Sequence, residues 1–368
     1  MNRVIAFCTN ASVFQNNQIL DENIAKEYPG ALWVTMLYRA ARECGIEVLT
    51  GDVAISNVAS NKFLASNVLV IQEEDSPHGL ELIRIGAVPF VVLSGESPLY
   101  ASKFYANLPR ISAIFNNRIL FRGAFGLTSS AGMNHVFHFP SFCSQIESSV
   151  LAWSERKFLV MVAANKYWKV NRPIHRQLLA WIRDTIVRRK SNPLMTSGVR
   201  QLHDRRLEIL EYFGSEGRLD LFGRNWDSLN NLPTSWQLRL KKIIGDMRPS
   251  SCSDKQAVIS KYKFAICFEN MVYPGYVTEK IIDCFRVGVI PLYIGAPDIS
   301  DFVPPNTYLD LRKFSSLDKL DDYLRAMTEE DAMRMIDAAQ SFLLSEQGLE
   351  FSYEGFAKNV LQLALKVE

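Results

Sequence analysis

The chain alternates short, nearly continuous apolar runs with longer segments in which apolar residues recur every three or four positions. The short runs are typical of strands buried on both faces of a parallel sheet, and the longer segments are typical of helices that cover such a sheet. Because the two patterns alternate from one end of the chain to the other, they predict an α/β fold.

In the first half, the apolar runs predict strands at Val4–Phe7, Glu47–Leu49, Asn67–Gln72, Val88–Leu93, Ile111–Phe115 and Val136–Phe139. Helical spacing predicts helices at Ala31–Cys44 and His78–Ile85. The segment Ser141–Arg156 lacks strand character, so we interpret it as the linker to a second domain.

In the second half, the predicted strands are Lys157–Ala164, Leu219–Phe222, Phe264–Phe268, Val289–Ile294 and Asp310–Leu311. The predicted helices are Leu178–Val187, Arg206–Phe213, Val277–Phe285, Leu317–Met327, Glu330–Ser345 and Tyr353–Lys366, with a basic loop at Arg188–Asp204. A chain of 368 residues is long for a single core. We therefore expect an N-terminal domain (1–150), a C-terminal domain (151–345) and a terminal helical segment (346–368) that could return to the first domain.

Charge and cysteine usage narrow the class of protein. The 41 Lys and Arg residues against 39 Asp and Glu give a net charge of +2, which argues against a dedicated nucleic-acid binder. The six cysteines form no C-x-x-C pair and several lie in apolar runs, which favours reduced core thiols over disulfides. No apolar stretch reaches the roughly 18 to 20 residues of a membrane span, and the N-terminal run is too short for a signal peptide. We expect a cytoplasmic protein without a transmembrane segment, and association with a membrane surface stays open.

Residues 262–297 contain the most informative pattern, which is strand, turn, helix and strand. Ligands of parallel sheets bind beyond the carboxyl ends of the strands, and this end carries Glu269, Asn270, Tyr276, Glu279 and Lys280. Lys280 would lie in the first turn of the helix, where a cation opposes the helix dipole. A bound anion would remove that conflict, whereas a solvated surface lysine is the alternative interpretation.

Several patterns that mark other nucleotide chemistries are absent. The chain has no G-x-G-x-x-G, no P-loop, no G-x-S-x-G and no D-x-D, and the missing glycine fingerprint disfavours an NAD enzyme. His135 and His138 have H-x-x-H spacing, but two half-buried histidines are the expected interpretation rather than a metal pair. If a nucleoside diphosphate leaves without a metal, fixed cations must stabilise its charge, and Lys280 with an arginine would do so.

The same stretch closely resembles the signature of the α-1,3/1,4-fucosyltransferase family, glycosyltransferase family 10. The resemblance is carried by Phe268-Glu269-Asn270, Tyr276-Val277-Thr278-Glu279-Lys280, and Gly288-Val289-Ile290-Pro291 with Gly295. Looser similarity covers the strand that ends at Asn165, the helix that begins near Arg206, and Gly95-Glu96-Ser97-Pro98. Met271 departs from the Ser or Thr that usually follows Phe-Glu-Asn, and the pattern is compatible with cytosolic bacterial members of the family.

The resemblance implies a GT-B architecture, in which two Rossmann-like domains face each other across a cleft. The C-terminal domain would bind the donor GDP-fucose, and the N-terminal domain would bind an oligosaccharide or glycoconjugate acceptor. Fucose would be transferred with inversion to a hydroxyl group, and no divalent metal or other cofactor would be required.

The resemblance also implies roles for individual residues. Lys280 and Arg206 would contact the diphosphate, although the adjacent Arg205 could do so instead. Glu279 would hold the ribose hydroxyls. The nucleotide pocket would be completed by Asn270, Tyr276, Glu269 and Asn165. Glu96 would be the base that takes the proton of the acceptor hydroxyl, and partial burial at its strand end would raise its pKa.

Each assignment has a structural alternative. Glu96 could be a turn residue, Glu269 could cap a backbone turn, and Tyr276 could be core packing. Arg206 could be an exposed helix residue that pairs with Glu208 or Asp204. The basic residues Arg188, Arg189, Lys190 and Arg200 could contact a ligand, although a solvated loop explains them equally well.

Two other functions stay open beside fucosyl transfer. The scaffold could use another GDP-linked deoxyhexose, which a competition assay with several GDP-sugars would detect. Alternatively, the protein could bind a nucleotide sugar without catalysis, and the presence of both Glu96 and Lys280 argues against that. The acceptor glycan, the linkage position and the oligomeric state have no readable signal in the sequence.

Overall fold

The computed structural model describes residues 3–143, 151–166 and 202–367. The predicted helix Leu178–Val187 and the four basic residues of the predicted loop lie outside the described residues. The chain forms two compact units. The first contains Met1–Gln145, Pro274–Tyr276 and Glu346–Glu368, and the second contains Ile146–Tyr273 and Val277–Ser345. The short segment 274–276 thus interrupts the second unit within the turn that the sequence singled out.

In the described part of the first unit, six parallel strands form a sheet in the order β2-β1-β3-β4-β5-β6. The strands are β1 (Val4–Cys8), β2 (Glu47–Thr50), β3 (Val68–Glu73), β4 (Val88–Leu93), β5 (Asn117–Leu120) and β6 (Met133–Val136). The helices are α1 (Glu22–Glu27), α2 (Leu32–Glu43), α3 (Gly51–Ala59), α4 (Pro77–Arg84) and α5 (Ser102–Ile111).

The second unit has a sheet of five parallel strands among its described residues, in the order β11-β10-β9-β7-β8. The strands are β7 (Lys157–Val162), β8 (Leu219–Phe222), β9 (Tyr262–Phe268), β10 (Ile290–Ile294) and β11 (Leu309–Asp310). The helices of this unit are α6 (His203–Ser215), α7 (Thr234–Met247), α8 (Lys255–Ile259), α9 (Glu279–Arg286), α10 (Leu317–Ala326) and α11 (Glu329–Leu344). Short α12 (Glu346–Leu349) and long α13 (Tyr353–Leu365) follow and belong to the first unit.

The cores explain why the apolar runs predicted the strands correctly. All five residues of β1 are buried, as are six of the seven residues of β9, so both faces of these strands are covered. Parallel strands covered on both faces select continuous apolar runs, and the predicted α/β class is confirmed. Helix α13 packs on α2, where the rings of Trp33 and Phe356 meet edge to face with their centroids 4.9 Å apart.

The two sheets share one topological feature. In the first unit, β1 lies between β2 and β3. In the second unit, β7 lies between β8 and β9. The direction of strand addition therefore reverses between β1 and β3 and again between β7 and β9. Ligands of open α/β sheets bind outside the carboxyl ends of the strands at such a reversal. The fold thus marks two positions, one in each unit, where binding side chains are expected.

The predicted strand Ile111–Phe115 is wrong, because Ile111 ends helix α5 and the next strand begins at Asn117. Pro109 and the β-branched Ile111 misled the assignment, since both are unfavourable inside helices. The helix forms because Phe104, Leu108 and Ile111 recur at helical spacing and are buried on one face.

Two further elements differ from their predictions. Strand β6 ends at Val136 rather than beginning there, because it is an edge strand with exposed or half-buried residues and no apolar run to mark it. The rings of Phe137 and Phe139 lie beyond the strand and pack on each other at 5.9 Å. Helix α7 was not predicted, since only Leu240 and Ile244 of its fourteen residues are buried. Of the described helices, none is both long enough and apolar enough to cross a bilayer.

Candidate functional site

Glu269 is the first residue of the turn between β9 and α9, so it lies directly beyond the carboxyl end of the central strand. Its side chain is 0% exposed. The carboxylate accepts hydrogen bonds from the Thr278 backbone N–H at 2.8 Å, from the Thr278 hydroxyl at 2.8 Å and 3.0 Å, and from Lys280 Nζ at 2.9 Å. Glu269 therefore binds the first turn of α9, which corresponds to the alternative of a turn-capping carboxylate rather than an exposed ligand contact.

Lys280 lies in the first turn of α9, as the sequence predicted. A cation is unfavourable at this end of the helix dipole, and the anion that offsets it is the Glu269 carboxylate of the protein itself, which Nζ contacts. Nζ also donates to Thr278 Oγ1 at 2.8 Å. The side chain is 22% exposed, so the ammonium group is held in one place but is not sealed from solvent.

Glu279 precedes Lys280 and lies 3.6 Å from its ammonium group. Burial alone would raise the pKa of Glu279, but Lys280, Lys255, the backbone N–H and Thr278 together lower the pKa to about 2. With 37% of the side chain exposed, this carboxylate is charged at neutral pH and accessible. It offers the two acceptor oxygens that a vicinal diol needs.

Arg206 reaches the same turn from helix α6. Its Nη2 donates to the carbonyl oxygens of Phe268 at 2.6 Å and Glu269 at 3.0 Å, and to Asn270 Oδ1 at 3.3 Å. The residue is 9% exposed, so the alternative of an exposed arginine paired with an acid is wrong for Arg206. That description fits Arg205, which is 57% exposed at its side chain and pairs with Glu208 at 2.6 Å.

Asn165 is placed at the carboxyl end of β7 but is largely committed to structure. Its side-chain amide forms a reciprocal pair with that of Asn231, in which both N–H···O distances are 2.9 Å. Its backbone N–H donates to the Arg224 carbonyl at 3.0 Å. At 5% exposure, Asn165 holds the loop beyond β7 in place.

A small pocket, partly open to solvent, lies beside helix α6 beyond the carboxyl ends of β7 and β8. It is lined by Ala163, Ala164, Asn165, Lys166, His203, Arg206, Leu207 and Trp226. Burial, with the nearby cations Arg206 and Lys166, lowers the pKa of His203 to about 4, so this imidazole is neutral at physiological pH. The pocket lies at the carboxyl end of the sheet, where ligands of parallel sheets bind, and its charged side chains are cationic.

Tyr276 lies in the segment 274–276, which belongs to the first unit. Its ring is 2% exposed and packs edge to face on Phe121 at 4.9 Å, within the first unit. The neighbouring Gly275 has a φ of +71°, and a Cβ atom there would come within 2.8 Å of the Arg122 nitrogen. The structure therefore places Tyr276 in core packing, which was the alternative to a position in the nucleotide pocket.

Glu96 follows strand β4 and is exposed, so the partial burial expected for this carboxyl is not observed. Its backbone is held firmly, because Tyr105 Oη donates to its carbonyl at 2.9 Å and its N–H donates to Ser94 Oγ at 3.3 Å. Ser94 in turn donates to the Glu74 carboxylate at 2.9 Å. These contacts fix the position of the turn that carries Glu96.

Glu73 is a second carboxyl at this edge, and sequence analysis did not single it out. Thr9 Oγ1 donates to it at 2.6 Å, across the reversal between β1 and β3. Burial and the carboxylates of Glu74 and Glu96 raise the pKa of Glu73. The hydrogen bond from Thr9 lowers the pKa, but the net shift is upward. The position of Glu73 as the last residue of an apolar strand was the available signal, but Thr9 and Glu96, which also act on it, come from distant parts of the chain.

Lys255 and Asp283 were also missed. Lys255 Nζ lies 2.8 Å from Asp283 Oδ2, and Lys255 acts electrostatically on Glu279. Asp283 follows Glu279 by four residues on α9, and this spacing was a signal that the sequence did contain. Nothing in the sequence indicated that Lys255 would face it.

His135 and His138 do not converge. His135 Nε2 lies 3.1 Å from Asn117 Oδ1, whereas His138 Nδ1 lies 3.2 Å from Glu350. Burial lowers the pKa of both rings, and that of His138 falls to about 4. Within the described ranges, no group of three or more His, Cys, Asp or Glu side chains is arranged to hold a metal ion.

Comparison with known proteins agrees with the resemblance carried by residues 262–297. Residues 190–335 match the family model described as Glycosyltransferase family 10 (fucosyltransferase) C-term. An α-(1,3)-fucosyltransferase FucT of Helicobacter pylori is 33% identical over 101 residues, which are 27% of this chain and 20% of that protein. GDP-fucose protein O-fucosyltransferase 3 of Xenopus tropicalis is 33% identical over 90 residues, which are 24% of this chain and 19% of that protein.

The matched segments therefore span about a fifth of the length of these curated relatives. The whole chain also shares its fold with Anabaena Alr3699/HepE, solved with UDP and glucose, at a TM-score of 0.59, 8% identity and 100% coverage of both chains. The two parallel sheets thus belong to a GT-B type fold. Residues 190–335 of this chain thus match the C-terminal domain of glycosyltransferase family 10, the fucosyltransferase family.

Proposed function

We propose that this protein is an inverting fucosyltransferase that moves fucose from GDP-fucose to a hydroxyl group of a glycan acceptor without a divalent metal. The observation that carries the proposal is the position of Lys280. Within the segment that matches the family, its ammonium group is fixed at the N-terminus of α9 by Glu269 and Thr278, beyond the carboxyl end of the central strand.

The donor would bind at this edge of the second unit. The leaving diphosphate gains negative charge as the glycosidic bond breaks, and a preorganised cation at a helix N-terminus stabilises that charge. Lys280 supplies the cation. Arg206 is bonded to three oxygens of the turn, so we assign it chiefly to holding the turn in position. The Glu279 carboxylate would accept hydrogen bonds from the two ribose hydroxyls.

The acceptor would be activated in the first unit. Glu96 is exposed and its backbone is fixed, which suits a base that must reach a sugar hydroxyl. One carboxylate is sufficient for an inverting transfer, because the hydroxyl oxygen attacks C1 directly as its proton is removed. The diphosphate then leaves from the opposite face. Cytoplasmic location and contact with a membrane surface stay predictions of the sequence.

The test is thermal unfolding with GDP, UDP or NAD, each with and without EDTA, followed by turnover of GDP-fucose on a glycan array. We expect GDP to stabilise the protein by about 2.7 kcal/mol at a concentration one hundred times its Kd, and we expect EDTA to leave this stabilisation unchanged. Stabilisation by UDP but not GDP would contradict the donor assignment. Loss of the GDP effect in EDTA would contradict metal independence, and tight GDP-fucose binding without turnover on any glycan would contradict catalysis.

A further inference from the structure

Lys255 connects helix α8 to helix α9. Its Nζ lies 2.8 Å from Asp283 Oδ2, and Gln256 Nε2 donates to the other oxygen of the same carboxylate at 3.4 Å. Asp283 lies one turn after Glu279 on α9, so the two carboxylates share a helix face. Lys255 is thereby anchored beside the carboxylate that the proposed function assigns to the ribose.

The groups that face Glu279 come from a few elements. Helix α9 packs against α8, β9, β10 and α11. The charged groups that act on Glu279 are Lys280 on its own helix and Lys255 on α8. Lys280 pairs with Glu269, in the turn that follows β9, and Lys255 pairs with Asp283 on α9. Burial favours the neutral acid, and these two ammonium groups outweigh it.

Lys280 has the larger electrostatic effect on Glu279, but its ammonium group is shared with two closer partners. It lies 2.9 Å from Glu269 and 2.8 Å from Thr278, but 3.6 Å from Glu279. A half-buried carboxylate that must keep both oxygens available to a diol therefore needs a second cation that does not occupy them. Lys255 meets this requirement, since Asp283 holds its ammonium group.

We propose that Lys255, anchored by Asp283, is a positioning residue that keeps Glu279 ionised and in place to accept the ribose hydroxyls of the donor nucleotide. The inference rests on the proposed function for the site. It adds Lys255, which precedes the signature at residues 262–297, and Asp283, which lies within that stretch but is not one of the residues that carry the resemblance. Lys255 touches neither the nucleotide nor the reacting atoms, and it acts through Glu279.

The experiment measures the Kd values of GDP and 2′-deoxy-GDP by calorimetry between pH 8 and pH 4. The ratio of the Kd of 2′-deoxy-GDP to the Kd of GDP reports the contact with the ribose hydroxyl. Protonation of the phosphates affects both Kd values alike and cancels in this ratio. The variants are Lys255→Met, Lys255→Arg and Asp283→Asn. The matched control is Lys157→Met, which also removes a lysine–aspartate pair of 2.8 Å in the second unit but has no connection to Glu279.

In the wild-type protein we expect GDP to bind more tightly than 2′-deoxy-GDP, with a ratio that is constant down to pH 4, because the pKa of Glu279 is about 2. Lys255→Met should reduce the ratio about tenfold, as expected for the loss of a charge-assisted hydrogen bond. It should also make the ratio fall between pH 6 and pH 4, because the pKa of Glu279 returns toward 4.5. Lys255→Arg should restore the ratio, and Lys157→Met should behave as wild type.

An unchanged ratio and an unchanged pH profile in Lys255→Met would overturn the proposal. If that variant does not fold, Asp283→Asn tests the proposal instead. Release of Lys255 from Asp283 should lower the ratio, and a wild-type ratio in this variant would refute the role of Asp283 as the anchor of Lys255. Failure of the wild-type protein to bind GDP at all is a different result, since it refutes the proposed function and the inference together.

Discussion

The two units place opposite charges at the same topological position. In the first unit, the acidic edge at the reversal between β1 and β3 consists of Thr9, Glu73, Glu74, Ser94 and Glu96. In the second unit, the basic edge at the reversal between β7 and β9 consists of Asn165, Lys166, His203, Arg206 and Lys280, and its three cations outnumber the two carboxylates there, Glu269 and Glu279. The parallel topology determines where a ligand can bind. The residues that directly follow the strands determine whether that place accepts protons or binds anions.

Two glutamates illustrate the difference. Burial and neighbouring carboxylates raise the pKa of Glu73 at the acidic edge. At the basic edge, Lys280 and Lys255 outweigh burial and lower the pKa of Glu279 to about 2. The same side chain thus holds its proton more tightly in one unit and loses it more readily in the other, because the neighbouring charges have opposite signs.

The largest effect is expected from Glu96→Gln at the acidic edge. Removal of the proposed base should lower kcat for the proposed fucosyl transfer about a hundred- to ten-thousandfold, whereas the Kd of GDP should not change. Initial rates and calorimetry measure the two quantities, and Glu81→Gln, an exposed carboxyl on α4, is the control. A normal kcat would exclude Glu96 as the base and would shift attention to Glu73.

Lys280→Met should have the largest effect on stability. It leaves the fully buried Glu269 carboxylate without its cation, which costs about 3 to 5 kcal/mol of the free energy of unfolding in urea. Adding Glu269→Gln should recover most of that stability but not the affinity for GDP. Lys157→Met, at an exposed ion pair, should cost under about 1 kcal/mol. Recovery of GDP binding in the double variant would contradict the role of Lys280 as the phosphate cation.

His203 should make the basic edge sensitive to acid. Its pKa is 6.5 in an unfolded chain and about 4 in the folded protein, so stability is fully present above 6.5 and is lost as the pH falls toward 4. The loss from this group should reach about 2 kcal/mol at pH 5. Urea unfolding at pH 7.5 and pH 5 should show a smaller histidine-linked loss in His203→Gln than in the wild type, and the remaining loss comes from His138 and His135, whose pKa values are also lowered. An unchanged pH dependence would refute the buried, neutral state of His203.

Glu73→Gln should give a smaller effect of opposite sign at the acidic edge. A raised pKa in the folded state means that the folded protein binds this proton more tightly, so the contribution of Glu73 to stability is lost as the pH rises through its folded pKa. The amide should therefore stabilise the protein at pH 7.5 and have little effect at pH 4. Urea unfolding at the two pH values measures this difference. Destabilisation at pH 7.5 would show that the bond from Thr9 outweighs burial.

Much of the fold was predictable because it depends on local patterns. Strands β1, β4, β7 and β9 follow apolar runs, and consecutive buried residues in each of them show that both faces are covered. Elements with few buried residues, such as β6 and α7, left too weak a pattern to be placed. Helix α5 was misread at its end because Pro109 and Ile111 have poor helix propensity, and propensity is overruled where one face is buried.

The sequence alone determined the α/β class, the family signature at residues 262–297 and the position of Lys280 in the first turn of a helix. Only the tertiary structure decided that Glu269 is the anion beside Lys280, that Arg206 rather than Arg205 reaches the turn, and that Lys255 faces α9. Periodicity depends on residues within one or two turns of each other, whereas hydrogen bonds and pKa values depend on groups brought together by folding. Thr9 and Glu73 are 64 positions apart, and Lys255 and Asp283 are 28 apart, so no local pattern could reveal these contacts.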